Sequence, residues 1–135
     1  MTANAKLSQQ TLLGYRNQGK FLLHAFVVMP DHFHALLTPA PEVSLEKAVQ
    51  YIKGGFSFQL KSKSDVWMKS FNESQISTRD RFLAAVHYIE ENPVRARLAA
   101  VANDYSYSSA ERAGLDPMPA HFQRIVSLGG KPTRG

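Results

Sequence analysis

Two apolar segments, FLLHAFVVM from Phe21 and HFHALLTP from His32, flank Pro30-Asp31, and no other stretch constrains the fold as strongly. Phe, Val and Leu favour extended backbone and Pro-Asp supplies turn chemistry, so the stretch predicts an antiparallel hairpin. Pro39-Ala40-Pro41 closes its second strand, since proline cannot donate to a ladder. Ahead of the hairpin, LSQQTLLGYRNQGK carries apolar Leu12, Leu13 and Tyr15 and predicts a helix closing near Gly19. After it, Leu45, Ala48, Val49, Ile52 and Phe56 recur at helical spacing behind Ser44 as N-cap, which predicts an amphipathic helix interrupted at Gly54-Gly55.

VWMKSFNESQI then reads as a strand, and STRDRFLAAVHYIEEN as a helix with Phe82, Ala85, Val86 and Ile89 on its buried stripe. Pro93 disfavours helical geometry at Asn92, so this helix is expected to end or kink there, with VRARLAA as a short second piece. The segment from Asn103 onward is turn-rich and polar, and its last six residues are expected to be disordered. Strands cluster and helices flank them, which is an α+β order with an antiparallel sheet and helices packed on one face. At 135 residues with no second-domain linker, the chain reads as a single domain over 1–135, with a core about 12–110 and a partly irregular tail at 111–135.

Composition narrows the chemistry. Cysteine is absent, which excludes disulfides, thiol nucleophiles and cysteine-ligated zinc, so a bound metal would need N and O ligands. No run approaches the roughly 18 apolar residues of a membrane span and the N-terminus lacks a secretory core, so a cytoplasmic protein with no membrane partner is expected. Sixteen Lys and Arg against eleven Asp and Glu give a net charge of +5, a lean toward polyanions such as nucleic acid.

Residues two apart on a strand share a face about 6 to 7 Å apart, so His32 and His34 project together while Phe33 points to the core. The pair is open to two readings, half-exposed histidines on a polar sheet face or two ligands of one divalent ion awaiting a third donor. His24, on the preceding strand, reads as a surface residue first and a ligand or supporting group second. On the later helix Tyr88 lies roughly 110° from the buried stripe, a flank position. It is either a boundary tyrosine or a nucleophile whose attack a metal supports. Asn92, one turn on, is either the N-cap of an Asn-Pro helix start or a hard oxygen ligand. Lys53, Lys61, Lys63 and Lys69 interleave with Phe56, Phe58 and Trp67, which suits single-stranded nucleic acid and suits a solvated helix face equally. Arg79, Arg81, Arg95 and Arg97 flank the Tyr88 helix, where they would add affinity for phosphates.

Taken together, FVVMPDHFHALL, SLEKAVQYIKGGFSFQL and VHYIEENPVRARLA resemble the REP-associated tyrosine transposases, IS200-like relatives of the single-tyrosine transposases of the HUH superfamily. The likeness runs over residues 12–110, and its most specific parts are His32 and His34 after Met-Pro-Asp and the run from Tyr88 to Ala96. It implies a ferredoxin-like α+β domain that cuts and rejoins single-stranded DNA beside hairpins of repeated palindromes, as a monomer or homodimer associated with the nucleoid. By the same resemblance, Tyr88 would be the nucleophile, forming a 5′-phosphotyrosine. His32, His34 and Asn92 would hold Mg²⁺ or Mn²⁺, and Lys53, Lys61, Lys63 and Arg95 would touch DNA. Relatives normally begin with a further segment holding a first strand, so a sheet short of that strand is expected, with unpaired backbone and a poorly covered core. SFNES also stands where relatives often carry an aromatic followed by Asp-His. The rival readings are a truncated remnant that binds structured DNA without cutting it, and a histidine-metal hydrolase using water.

Overall fold

In the computed structural model, residues 2–30, 32–60, 72–112 and 115–130 are described. Asp31 of the expected turn, and Lys61, Lys63, Trp67 and Lys69 of the basic-aromatic stretch, lie outside them. The elements follow in the order α1 (Thr2–Asn17), β1 (Phe21–Val28), β2 (Phe33–Pro39), α2 (Leu45–Leu60), β3 (Asn72–Gln75), α3 (Arg79–Arg95), two short 3₁₀ turns and β4 (Val126–Gly130). The strands form one antiparallel sheet in the order β1-β2-β4-β3. This is the α+β architecture that the sequence predicts.

Side-chain alternation gives the sheet two apolar faces. Phe26, Val28, Phe33, Ala35, Leu37, Val126 and Leu128 share one core with Leu12 of α1 and with Ala48, Ile52 and Phe56 of α2. Val27 and Leu36 project oppositely, into a second core with Phe82 and Ile89 of α3. Helices therefore cover both faces, not the single face expected: β2 is apolar on each side of the pleat, and each apolar face needs a cover.

Three local readings change with the packing. The second helix is not interrupted at Gly54-Gly55 but continues to Leu60. A Cβ at Gly55 would stand 2.6 Å from Thr11 Cγ2 and 2.8 Å from Tyr15 Cε2, so this glycine lets α2 approach α1 rather than ending a helix. Nor does α3 break at Pro93, which is buried inside it; Asn92 is accordingly no N-cap and VRARLAA no separate helix. Arg97, at φ 61°, takes the left-handed position after the helix, with Leu98 N–H donating to Pro93 O (2.8 Å) and Arg97 N–H to Val94 O (3.0 Å). The caps behave as expected: Ser44 Oγ accepts from Lys47 N–H, and Thr78 Oγ1 accepts from Arg81 N–H.

The partly irregular C-terminal segment also holds a strand not expected from the sequence: Val126–Gly130 forms β4, which pairs with both β2 and β3. Residues 131–135, in the stretch expected to be disordered, lie outside the described residues. β4 stands between β2 and β3, and its Val126 and Leu128 join the core with α1 and α2. The segment before β4 also covers the outer edge of β1. Ser109 Oγ accepts from Phe26 N–H at 3.0 Å and donates to Glu90 at 2.6 Å, tying that edge to α3, and Val28 N–H donates to Tyr107 O. The opposite edge, β3, is an exposed and fully polar Asn-Glu-Ser-Gln, a form that discourages edge-to-edge association.

His24 is buried, not superficial. A register shift between Leu23 and Ala25 turns it inward, where Nδ1–H donates to Asp116 O (3.0 Å) and Nε2 accepts from Thr38 Oγ1 (2.8 Å). The Asp116 carboxylate pairs with Arg16 at 2.9 and 3.1 Å and accepts from Leu23 N–H. Burial holds the His24 imidazole below its ordinary 6.5. Burial would raise Asp116, but the bonds from Arg16 and Leu23 outweigh it and keep the carboxyl below 3.8. Both groups bind protons more readily when unfolded, so each adds stability above its ordinary pKa that is lost as pH falls. The melting temperature should decline in two stages, the first below about 6.5 from His24 and the second below about 3.8 from Asp116. Thermal melts of His24→Gln between pH 7 and 5 should be flatter than those of the parent, and equal slopes would disprove the assignment.

Candidate functional site

The hairpin and α3 meet where β2 begins. His32 lies just ahead of the strand and His34 within it, both half-buried, with ring centroids 5.2 Å apart and planes at 81°. Phe33 between them is fully buried on the other face, edge-on to Phe56 at 5.1 Å. The alternation read from the sequence therefore places the two imidazoles together on the α3 side.

From α3, Tyr88 reaches the same spot. Its flank position leaves it 52% exposed, and its ring lies 5.5 Å from that of His34, nearly perpendicular. One turn on, Asn92 is buried, with Oδ1 3.4 Å from His32 Nε2 and Nδ2 without a hydrogen-bond partner. The i, i+4 spacing thus brings a phenol and an amide to the two histidines, as the helical reading required. Arg95, another turn on, donates from Nη2 to Tyr88 O at 2.8 Å and lays its guanidinium over the Tyr88 ring at 4.4 Å. Sequence alone gives Arg95 as a phosphate contact; here it also braces the tyrosine.

The donor set here is two imidazoles and one amide oxygen. Among the described residues no group of three His, Cys, Asp or Glu is arranged to hold a metal, so an ion at this place would depend on Asn92 as its third protein donor. The Asn92 amide oxygen, 3.4 Å from His32 Nε2, is a donor of the kind that a hard divalent ion such as Mg²⁺ or Mn²⁺ takes, whereas the unpartnered Nδ2 is a hydrogen-bond donor and adds nothing to that fit. His24 is not part of this cluster; its bonds to Thr38 and Asp116 hold it toward the other end of the hairpin. Lys53 is also apart from Tyr88, because α2 covers the face opposite α3.

Two features escape sequence reading. Asn72 of β3 and Gly129 of β4 lie in one cross-strand row with His34, and a Cβ at Gly129 would stand 3.1 Å from His34 Nδ1 and 3.3 Å from Asn72 Oδ1. Nothing in the local sequence links positions so far apart; only the register does. A cleft of about 760 Å³ between Phe21, Thr38 and Arg124 is at the far end of the hairpin. None of the described helices is long and apolar enough to cross a membrane.

A family model described as IS200-like transposase matches residues 5–92. No curated protein matches the chain. Among solved structures, a REP-associated tyrosine transposase bound to a REP hairpin superposes with a TM-score of 0.67 at 22% identity, covering 89% of this chain and 79% of that one. The fold is the one that neighbour has.

Proposed function

The chain belongs to the IS200-like transposase family, and we propose that it is a metal-dependent transesterase that cleaves and rejoins single-stranded, hairpin-flanked DNA through Tyr88. The observation that carries this reading is the meeting of Tyr88 with His34, ring to ring at 5.5 Å, beside the His32–Asn92 contact. The hairpin-bound state of the structural neighbour supports hairpin DNA as the partner. His32, His34 and Asn92 would hold Mg²⁺ or Mn²⁺, which when bound supplies charge stabilisation to the scissile phosphate.

The chain's own residues perform the rest. Tyr88, exposed on the flank of α3, presents its hydroxyl to solvent-borne DNA without unfolding any element. Its oxygen forms the new bond to phosphorus as the bond to the 3′ oxygen breaks; the phenol proton is released and the departing 3′ oxygen takes one up. The product is a 5′-phosphotyrosine with a free 3′-hydroxyl, and reversal of the same exchange reseals the strand without an external energy source. Arg95 limits rotation of the Tyr88 ring and places positive charge beside it, which favours an approaching phosphate. Lys53, Lys61 and Lys63 complete the proposed DNA contacts, Lys53 at a distance from the cut.

The pairing of β4 with both β2 and β3 supports the active reading over an inactive, DNA-binding remnant. The test is direct. End-labelled single-stranded hairpin DNA, incubated with the protein and Mn²⁺, should yield an adduct that survives denaturing electrophoresis and is absent with chelator. Retarded DNA with no adduct at any Mn²⁺ concentration would favour the remnant instead.

A further inference from the structure

We infer that Gly129 is a positioning residue of this site: the bare Cα of β4 is the seat on which the His34 imidazole and the Asn72 amide converge. The inference rests on the metal-site reading above and extends it to a strand that contributes no ligand. Gly129 is buried, and the register pairs it with His34 of β2 on one side and with Asn72 of β3 on the other. Val126 and Leu128 face the α1–α2 core, so Ser127 and Gly129 present the opposite face, toward α3. In a central strand, that position would ordinarily carry a side chain filling the space over the sheet. Here the His34 ring takes the space through its Nδ1–Cε1 edge, at 3.1 and 3.3 Å from where a Cβ would stand.

The consequence is geometric. A Cβ at that separation forces its neighbours to give by a few tenths of an ångström. Metal–ligand distances tolerate only about 0.2 Å, so the displacement falls at the limit of what a two-imidazole site absorbs. His34 cannot retreat freely, because Tyr88 packs against its ring on the α3 side and His32 on another. The backbone has no such objection: Gly129 lies in regular antiparallel pairing and is not among the glycines with positive φ, so alanine suits the strand. Gly129→Ala should therefore separate the site from the fold.

Mn²⁺ titration followed by electron paramagnetic resonance should show affinity weakened at least tenfold in Gly129→Ala, with a melting temperature near the parent's. Ser127→Ala, on the same face of the same strand, should bind Mn²⁺ as the parent does. In metal-free protein the His34 ring resonances should shift in Gly129→Ala and stay in place in Ser127→Ala. Parental Mn²⁺ affinity and unshifted His34 resonances in Gly129→Ala overturn the inference. His34→Ala distinguishes the two possible failures. Unchanged affinity in both His34→Ala and Gly129→Ala overturns the metal site itself, whereas lost affinity in His34→Ala alone overturns only the role of Gly129. If Gly129→Ala does not fold, hydrogen exchange of the parent decides: Mn²⁺ should slow exchange at residues 126–130 together with β2, and slowing confined to β2 and α3 overturns the inference.

Discussion

Tyr88→Phe is expected to abolish the covalent protein–DNA adduct, lowering its rate by at least roughly four orders of magnitude, as removal of a nucleophile does elsewhere. The substitution takes one oxygen and leaves the ring, so the contacts with His34 and with the Arg95 guanidinium persist. Because Tyr88 is 52% exposed and its hydroxyl supports no element, stability should change by less than about 0.5 kcal/mol. Hairpin binding should likewise be retained. Denaturing gels for the adduct, melts for the fold and mobility shifts for binding separate these effects. Strand cleavage that survives in Tyr88→Phe would instead mean that water, activated at the histidine pair, is the nucleophile. Loss of cutting, binding and stability together would mean that the tyrosine is structural.

Much of this arrangement is legible in the sequence because it depends on local periodicity. The hairpin follows from two β-favouring runs and a Pro-Asp turn, and the pairing of His32 with His34 from the two-residue repeat of a strand. The approach of Tyr88 and Asn92 follows from the helix period. What could not be read depends on contacts between distant segments. A strand of five residues with two glycines, Val126–Gly130, has little intrinsic preference for extension; it is a strand because β2 and β3 offer unpaired backbone on both sides. Gly54-Gly55 looked like a helix break because the closeness of Thr11 and Tyr15 is invisible locally. The burial of His24 depends on the register shift at Leu23/Ala25 and on bonds to Thr38 and Asp116, none of which the local sequence encodes. Pro93 looked like a terminator, yet it is buried within α3, which runs on to Arg95, so packing outweighs the bond that its missing N–H cannot make.

Phe33→Ala should be the most destabilising substitution near the site, by about 3 to 5 kcal/mol. The ring is fully buried, edge-on to Phe56, in the core that joins β2 to α1 and α2. A domain of this kind has only about 5 to 15 kcal/mol to lose, so the melting temperature should fall on the order of 10 °C. Phe33→Leu keeps most of the apolar volume and should cost on the order of 1 kcal/mol. Function should follow anchoring, not stability alone. Phe33 is the residue between the two histidines, and its burial on one face fixes their projection on the other. Well below its melting point, Phe33→Ala should therefore bind Mn²⁺ more weakly than Phe33→Leu. Saturating Mn²⁺ should also raise its melting temperature less than the parent's, since the ion then has to order the strand as well as bind it. Equal Mn²⁺ affinity in the two variants would show that backbone pairing with β1 and β4 holds the histidines unaided, and that the phenylalanine contributes only to the core.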